Sequence, residues 1–407
     1  SCHNARPSLF STSSGFDDYR GFLNLCVVLL VISNARVFLE NIRNYGILVD
    51  PLQWLTAVLH NPYQWPNLLL VLDCTCNNII CIYKKQESII FSLKTFACLV
   101  TFIYSTVGSL FSCSFYVVLF LKLWSYAQTN KWYRDAYIKA LSKRRIHRTM
   151  SMRCMNTPCV SASDYMQVQY PYNLSYRNLI YFIAAPTLCY EANYPRNESI
   201  NKSYLARRVV EILFLSQLQL ALIQQWVVPV LQKSILPIHN FEGYYVVERL
   251  LKLSVPNHFI WLVFFYVFFH SVLNALAEVL KFADREFYRD WWNADTIGYF
   301  WQAWNIPVHK WCVRHVYKPL LSIGVSKLMA QISVFMLSAF FHEYLVSIPL
   351  HMFKFWAFFG MTMQVFLLWV SKRFSSNYGN MIVWMSLILG QPVAILAYVY
   401  HYYVTSY

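Results

Sequence analysis

The sequence is poor in charged residues. Only 13% of its 407 residues are Asp, Glu, Lys or Arg, whereas soluble proteins carry about 25%. So few charges cannot cover the surface of a chain this long in water. The composition therefore argues against a soluble globular protein. The chain also has only 10 glycines and no Gly-rich phosphate loop.

Two other kinds of pattern are missing. The 11 cysteines are an odd number, and their spacing matches neither a disulfide framework nor a zinc site. We interpret them as reduced packing residues and expect no bound metal. The chain has no internal repeats and no composition break, which predicts a single domain over residues 1–407.

What the sequence has in abundance is apolar stretches. Hydrophobic residues make up 57% of the chain and aromatic residues 18%, and runs of about 17–25 apolar residues are long enough to cross a bilayer as helices. We therefore predict an all-α, polytopic membrane protein with about nine transmembrane helices. The predicted spans are residues 21–39, 65–83, 89–107, 109–123, 209–231, 257–280, 328–350, 353–370 and 380–402.

The positive charges indicate an orientation. With nine spans, 26 of the 34 Lys and Arg residues fall on one face, and cytosolic loops carry that excess. This places residues 1–20, the loop 124–208 and the segment 281–327 in the cytosol and the C-terminus in the lumen. The net charge of +15 then reflects orientation rather than nucleic-acid binding. Within the loop, we expect the basic stretch 131–153 to be solvated and mobile.

A short segment that is both aromatic and charged follows the sixth predicted span. It suits a structured loop at the membrane interface. It is followed by a second aromatic-rich stretch, residues 299–311, and the next span carries residues 338–344. The segment consists of Phe287, Tyr288, Arg289, Asp290, Trp291, Trp292 and Asn293.

This combination resembles the membrane-bound O-acyltransferase family, and more narrowly its type 1 diacylglycerol O-acyltransferase branch. The likeness extends from residues 8–10 to the final span, and it is most specific over residues 284–319. It implies an intramembrane reaction cavity surrounded by the helices. Asn305 and His342 match the family's active-site pair, and Gln391 with Pro392 lies where the branch has a Gly-Gln-Pro turn.

Three residues of the seventh span carry the predicted chemistry. A histidine inside a span is costly to bury unless it is functional or hydrogen-bonded. Ser338 lies one turn before His342, on the same helical face, so a Ser–His nucleophile pair is conceivable. The resemblance implies instead direct transfer, with Ser338 near the thioester sulfur. Glu343 points to another side, and its expected partner is Gln391.

The remaining candidates surround this pair. Gln302, Asn305 and His309 are spaced to lie on one side of a helix, and Asn305 can donate its amide to a thioester carbonyl. We expect a basic cluster to bind either the phosphates of CoA or membrane headgroups. Its members are Lys310, Arg314, His315 and Lys318. The resemblance also implies that Tyr317, Gln364, Gln391 and Glu343 contribute to substrate binding.

The reaction that the resemblance implies is acyl-CoA plus 1,2-diacylglycerol giving triacylglycerol and CoA, with His342 as general base and no bound cofactor. It further implies an endoplasmic reticulum membrane location and a homodimer, in which residues 8–20 contact the partner. A sterol O-acyltransferase of the same family is one alternative. A lipid transporter or channel is another, although we find no inverted repeats.

Overall fold

The structure is a computed structural model, and it describes residues 3–9, 106–150, 168–234, 243–374 and 376–406. These residues are predominantly helical, and their only β-type pairing is two isolated bridges, Arg6 with Asp284 and Arg196 with Phe282. The all-α prediction is confirmed for this part of the chain.

Nine helices organise the described residues. Three of them contain a π-helical turn, at Ile223–Val227, Tyr266–Val272 and Val313–Tyr317. The helices are α1 Thr106–Met150, α2 Tyr176–Ala184, α3 Lys202–Gln232, α4 Gly243–Phe265 continuing to Val279, α5 Ile297–Ala303, α6 Ile306–Cys312 continuing to Ser322, α7 Lys327–Leu350, α8 Trp356–Ser371 and α9 Ser376–Ser406.

Five of the described helices are long and apolar enough to cross a membrane: α1, α3, α4, α7 and α9. The shorter α8 is also apolar. These six helices coincide with the six predicted spans from residue 109 onward. The predicted spans 21–39 and 65–83, and nearly all of 89–107, lie outside the described residues. A polytopic membrane protein is therefore confirmed, while the number nine stays a prediction.

The prediction of a mobile loop after the fourth span is wrong for the first part of that loop. Helix α1 continues without a break to Met150 and is 45 residues long, about 67 Å at 1.5 Å per residue. Crossing the hydrocarbon core needs only about 20 residues. The basic stretch up to Met150 is therefore a helical extension of a span. Residues 151–167 lie outside the described residues.

Helix α1 also anchors the short α2. Lys122 Nζ donates to the carbonyls of Phe182, Ile183 and Ala185 at 3.0, 2.8 and 2.6 Å. The last carbonyls of a helix have no partner within it, so this buried ammonium group caps α2. With nine residues, α2 is too short to span a membrane, as expected for an interfacial or re-entrant helix.

The motif 287–293 lies in the core of the molecule. Phe287, Tyr288, Trp291 and Trp292 are all buried, and Trp291 begins a short 3₁₀ turn. They pack in one cluster with residues of α4, α5 and α9. The prediction of a structured loop is confirmed, and its aromatic rings pack between these helices.

The N-terminal residues 3–9 pack against the segment that precedes this motif. The backbones of Arg6 and Ala283 are hydrogen-bonded at 3.0 Å. The buried His3 donates from Nδ1 to Asp284 Oδ2 at 2.9 Å and from Nε2 to the Cys189 carbonyl at 3.0 Å. Because a carboxylate and a carbonyl both only accept, both ring nitrogens of His3 carry protons. Residues 10–20, part of the predicted partner contact, lie outside the described residues.

Candidate active site

His342 lies in the second half of α7 and its side chain is exposed. Its Nδ1 is 2.8 Å from the Ser338 carbonyl oxygen. A carbonyl can only accept, so Nδ1 carries the proton in this bond. In the neutral imidazole the other nitrogen, Nε2, then keeps its lone pair. The local helix geometry thus presents a ring nitrogen that can accept a proton.

The same bond bears on the role of Ser338. Ser338 Oγ is 3.5 Å from His342 Nδ1, at the outer limit of a hydrogen bond. Since Nδ1 already carries a proton directed at the Ser338 carbonyl, it has no lone pair with which to activate the Ser338 hydroxyl. This arrangement does not favour a Ser–His nucleophile pair.

Asn305 lies at a break between two helices. Helix α5 ends at Ala303, and Asn305 is the N-cap of α6, accepting from Val308 N through Oδ1 at 3.2 Å. The prediction that Gln302, Asn305 and His309 share one side of a continuous helix is therefore wrong. The cap has its own consequence, because it fixes which end of the Asn305 amide is occupied. Nδ2 has no hydrogen bond among the described residues and can donate.

Two sets of contacts bring α5 and α6 to α7. Trp301 contacts Phe335 with ring centroids 6.3 Å apart. Phe335, Ser338 and His342 recur at helical spacing, so Trp301 touches the face of α7 that carries the histidine. A second cluster joins α6, α1 and α7, and it includes Trp311, Val117 and Tyr344. No hydrogen bond joins Asn305 to His342 in the described structure.

Glu343 makes four hydrogen bonds, none of them to Gln391. Its Oε1 accepts from Ser347 Oγ and from Phe355 N at 2.9 Å. Its Oε2 accepts from Phe358 N at 3.1 Å and from Tyr398 Oη at 2.8 Å. The predicted partner is therefore wrong. The carboxylate instead binds the N-terminal end of α8, where free backbone N–H groups favour an anion.

Gln391 pairs with α4 instead. Asn257 Nδ2 donates to Gln391 Oε1 at 3.0 Å. Asn257 was not among the predicted site residues, although a polar side chain directly after Pro256 in an apolar run indicates an intramembrane polar site.

The predicted basic cluster is only partly available. Lys310 Nζ is 3.1 Å from Asp284 Oδ2 and 3.7 Å from Glu286 Oε2, so its charge is neutralised within the protein. His315 is buried, with its ring nitrogens 2.7 Å from Ser125 Oγ and 2.6 Å from Gln128 Oε1. These two residues do not belong to a phosphate site.

Arg314 and Lys318 remain as candidates for binding phosphate. The Arg314 guanidinium lies 3.5 Å from Glu191 Oε1 and 5.8 Å from the Trp132 ring. Lys318 is exposed and makes no ion pair with described residues. The two residues are four apart in α6, so they lie on one side of it.

The other predicted binding residues are distributed over α5, α6 and α8. Burial lowers the pKa of His309, and the positive charge of Arg289 lowers it further, so His309 is neutral at pH 7. Tyr317 and Gln364 are partly exposed and Gln302 is exposed. None of the four forms a side-chain hydrogen bond with a described residue.

Two residues of the aromatic motif, Asp290 and Tyr288, are fixed by hydrogen bonds. Tyr299 donates its hydroxyl to Asp290, and burial together with this carboxylate raises the pKa of Tyr299 to about 12. Tyr288 Oη is 2.8 Å from Nδ1 of the buried His270 in α4. Asn293 is exposed. The motif thus supports the α5–α6 break, since Ile306 N also donates to the Phe287 carbonyl at 3.0 Å.

Comparison with known proteins shows the family of this chain. Residues 81–400 match the model of MBOAT, the membrane-bound O-acyltransferase family. The chain belongs to this family. The acyltransferase is 49% identical to diacylglycerol O-acyltransferase 1 of Homo sapiens over 426 aligned positions, which cover all of this chain and 85% of the human protein. The corresponding Bos taurus protein is 50% identical over the same shares. Diacylglycerol O-acyltransferase 1A of Glycine max is 37% identical, covering 94% of this chain and 78% of the plant protein.

Proposed function

We propose that this acyltransferase moves a fatty acyl group from acyl-CoA to the free hydroxyl of 1,2-diacylglycerol, which gives triacylglycerol and CoA. The support is the similarity to diacylglycerol O-acyltransferase 1 over the whole length of this chain. The catalytic part of the proposal is carried by one observation, the Nδ1–H of His342 bound to the Ser338 carbonyl.

His342 is the general base of the proposed reaction. Its Nε2 takes the proton from the glycerol hydroxyl as the hydroxyl oxygen attacks the thioester carbon. The C–S bond then breaks, and the departing thiolate receives that proton, so CoA leaves as the thiol. A neutral imidazole can both accept and return a proton near pH 7.

Asn305 polarises the thioester in this mechanism. As the hydroxyl attacks, negative charge develops on the carbonyl oxygen, and a donor held in place stabilises that charge. Asn305 Nδ2 suits this role because the cap at Val308 N already holds Oδ1. Ser338, one turn from His342, lies near the thioester and forms no acyl intermediate. An apolar cavity keeps water from hydrolysing the thioester.

We assign the other binding roles from the resemblance to the family. Arg314 and Lys318 bind the CoA phosphates at the cytosolic face, while Gln302, His309, Tyr317 and Ser338 line the acyl-CoA route. Gln364 and Gln391 face the acyl acceptor, and Glu343 holds α8 in place.

We infer the setting of the enzyme from its charge distribution and its resemblance to the family. The N-terminus faces the cytosol and the C-terminus the lumen, because Lys and Arg residues concentrate on one face. The resemblance implies the endoplasmic reticulum membrane and a homodimer.

An acceptor panel tests the proposed function. Purified full-length protein is incubated with labelled oleoyl-CoA and either diacylglycerol or cholesterol in matched micelles. We expect labelled triacylglycerol to form much faster than cholesteryl ester. Equal or faster labelling of cholesterol would contradict the acceptor assignment and favour the sterol branch. No ester from any alcohol, with the substrate instead moved across vesicles, would favour a transporter.

A further inference from the structure

The hydrogen bond between Asn257 and Gln391 lies where two helices are both interrupted by proline. Asn257 directly follows Pro256 in α4, and Gln391 directly precedes Pro392 in α9. A proline lacks an N–H group and leaves one helix carbonyl without its usual partner. The hydrogen bond between the two side-chain amides therefore joins α4 and α9 where each helix lacks one backbone hydrogen bond.

Gln391 also lies on a face of α9 that includes one contact with α7. Tyr398 is seven residues further along α9, which is two turns on the same face, about 11 Å along the axis. Tyr398 donates to Glu343, the neighbour of His342. Gln391 is half-buried, so its amide is within the membrane-spanning part but remains accessible.

The bond from α4 determines which end of the Gln391 amide is available. Its Oε1 accepts from Asn257 Nδ2 at 3.0 Å, and within the described structure its Nε2 donates no hydrogen bond. A primary amide has one acceptor end and one donor end. With the acceptor end held by Asn257, Gln391 presents N–H groups to a ligand.

We propose that Asn257 is a positioning residue that holds Gln391 with its Nε2 toward the acyl acceptor, where it donates to an ester carbonyl of diacylglycerol. This inference rests on the proposed function. Ester carbonyls only accept hydrogen bonds, so they match a donor that would otherwise be left unpaired in an apolar site. A sterol has a hydroxyl group but no carbonyl. The amide pair therefore favours a diacylated glycerol over a sterol or an alkyl alcohol.

The proposal predicts a preference that can be measured with two acceptors in one tube. A 1,2-dialkylglycerol has the same free hydroxyl and the same chains as a diacylglycerol, but ether oxygens replace its ester groups. We expect the wild type to prefer the diacyl compound, and Asn257→Leu to reduce that preference by about five- to tenfold, the worth of one hydrogen bond in a buried site. The apparent KM for acyl-CoA should stay unchanged.

The design separates positioning from folding. The ratio of the two products within one tube does not depend on how much protein is folded. Ser254→Ala, which removes a hydroxyl that donates to the Leu250 carbonyl within α4, is the matched control and should leave the ratio unchanged. Gln391→Leu should reduce the preference as Asn257→Leu does. Adding Asn257→Leu to Gln391→Leu should change nothing more, because Asn257 acts through Gln391.

Two results would overturn the proposal. One is an unchanged diacyl-to-dialkyl ratio in Asn257→Leu; the other is a double variant whose losses multiply, as two independent residues would give. Failure of the proposed function looks different, since the wild type would then esterify neither glycerol lipid.

Discussion

At residue 343 a single carboxylate holds parts of α7, α8 and α9 together. Four donors surround Glu343, including two backbone N–H groups at the start of α8 and the Tyr398 hydroxyl. All four are donors, so an ionised carboxylate satisfies them and a protonated one does not. His342, its neighbour in sequence, is exposed, and among the described residues its ring is hydrogen-bonded only within α7. These contacts give Glu343 a structural role, and they are compatible with the proposed role of His342 as general base.

Replacing Glu343 should therefore affect stability more than the chemical step. We expect Glu343→Ala to lower the thermal midpoint of the purified protein strongly, since each hydrogen bond to a charged group contributes about 1.5–3 kcal/mol. Thr362→Ala, which removes a hydroxyl bonded to the α8 backbone, should change the midpoint little. If Glu343→Gln remains folded but turnover per folded molecule falls about a thousandfold, a catalytic role for Glu343 would be needed instead.

At the scale of elements, the basic residues of α6 differ in their partners and in their exposure. Lys310 is held by Asp284 and Glu286, and His315 is buried against α1. Arg314 is partly exposed beside Glu191, and Lys318 is exposed. These two residues are therefore the phosphate-binding candidates in α6.

Replacing Arg314 and Lys318 together by Gln should raise the apparent KM for acyl-CoA by about tenfold and leave the KM for diacylglycerol unchanged, because charge-assisted phosphate contacts are lost. Steady-state rates with each substrate varied in turn measure this. The matched control replaces Lys202 and Arg207, two exposed basic residues at the start of α3, and should alter neither constant. An unchanged acyl-CoA dependence in the α6 variant would assign those charges to lipid headgroups.

How far the elements could be predicted depended on the signal each one carries in the sequence. The apolar spans α3, α4, α7 and α9 were predictable because an apolar run long enough to cross a bilayer reports directly on a helix. The extension of α1 to Met150 was not predictable, because a solvated basic helix contains no apolar run that would indicate it. The break at Asn305 had a local signal, an Asn followed two residues later by Pro307, which is typical of a helix start.

The candidate site was predictable only where a motif carried it. His342 and Asn305 were identified by their resemblance to the family, and the structure adds the bonds that orient them. The partners of Glu343, Gln391 and Lys310 were not predictable, since those contacts join residues far apart in the sequence. Sequence spacing gives the face of one helix but not the helix packed against it.

At the scale of the whole molecule, residues 3–9 and α6 are connected through Asp284. Its Oδ2 is bound by His3 at 2.9 Å and by Lys310 at 3.1 Å. Burial raises the pKa of the Asp284 carboxyl, but the hydrogen bond from His3 and the charge of Lys310 outweigh it, so the pKa lies below its ordinary value of 3.8. The ionised carboxylate therefore stabilises the docked N-terminal segment.

A carboxyl group with a lowered pKa contributes its stability above its unfolded pKa and loses it as the pH falls through the folded one. We therefore expect Asp284→Asn to lower the thermal midpoint of the full chain above about pH 4, with the difference from wild type disappearing at lower pH. Asp135→Asn, at an exposed position, should show no such difference. A difference that did not shrink as the pH was lowered further below 4 would contradict this account of Asp284.

The measurement that tests the account most directly is the rate of triacylglycerol formation by His342→Ala in the intact chain. Loss of a general base typically lowers the rate about 10²–10⁴-fold, while the variant should still bind acyl-CoA and remain folded. Ser338→Ala should keep most activity, and the wild type should form no labelled acyl-protein. Near wild-type turnover in His342→Ala would contradict the proposed base. Loss of turnover in Ser338→Ala, together with acyl-protein in the wild type, would contradict direct transfer.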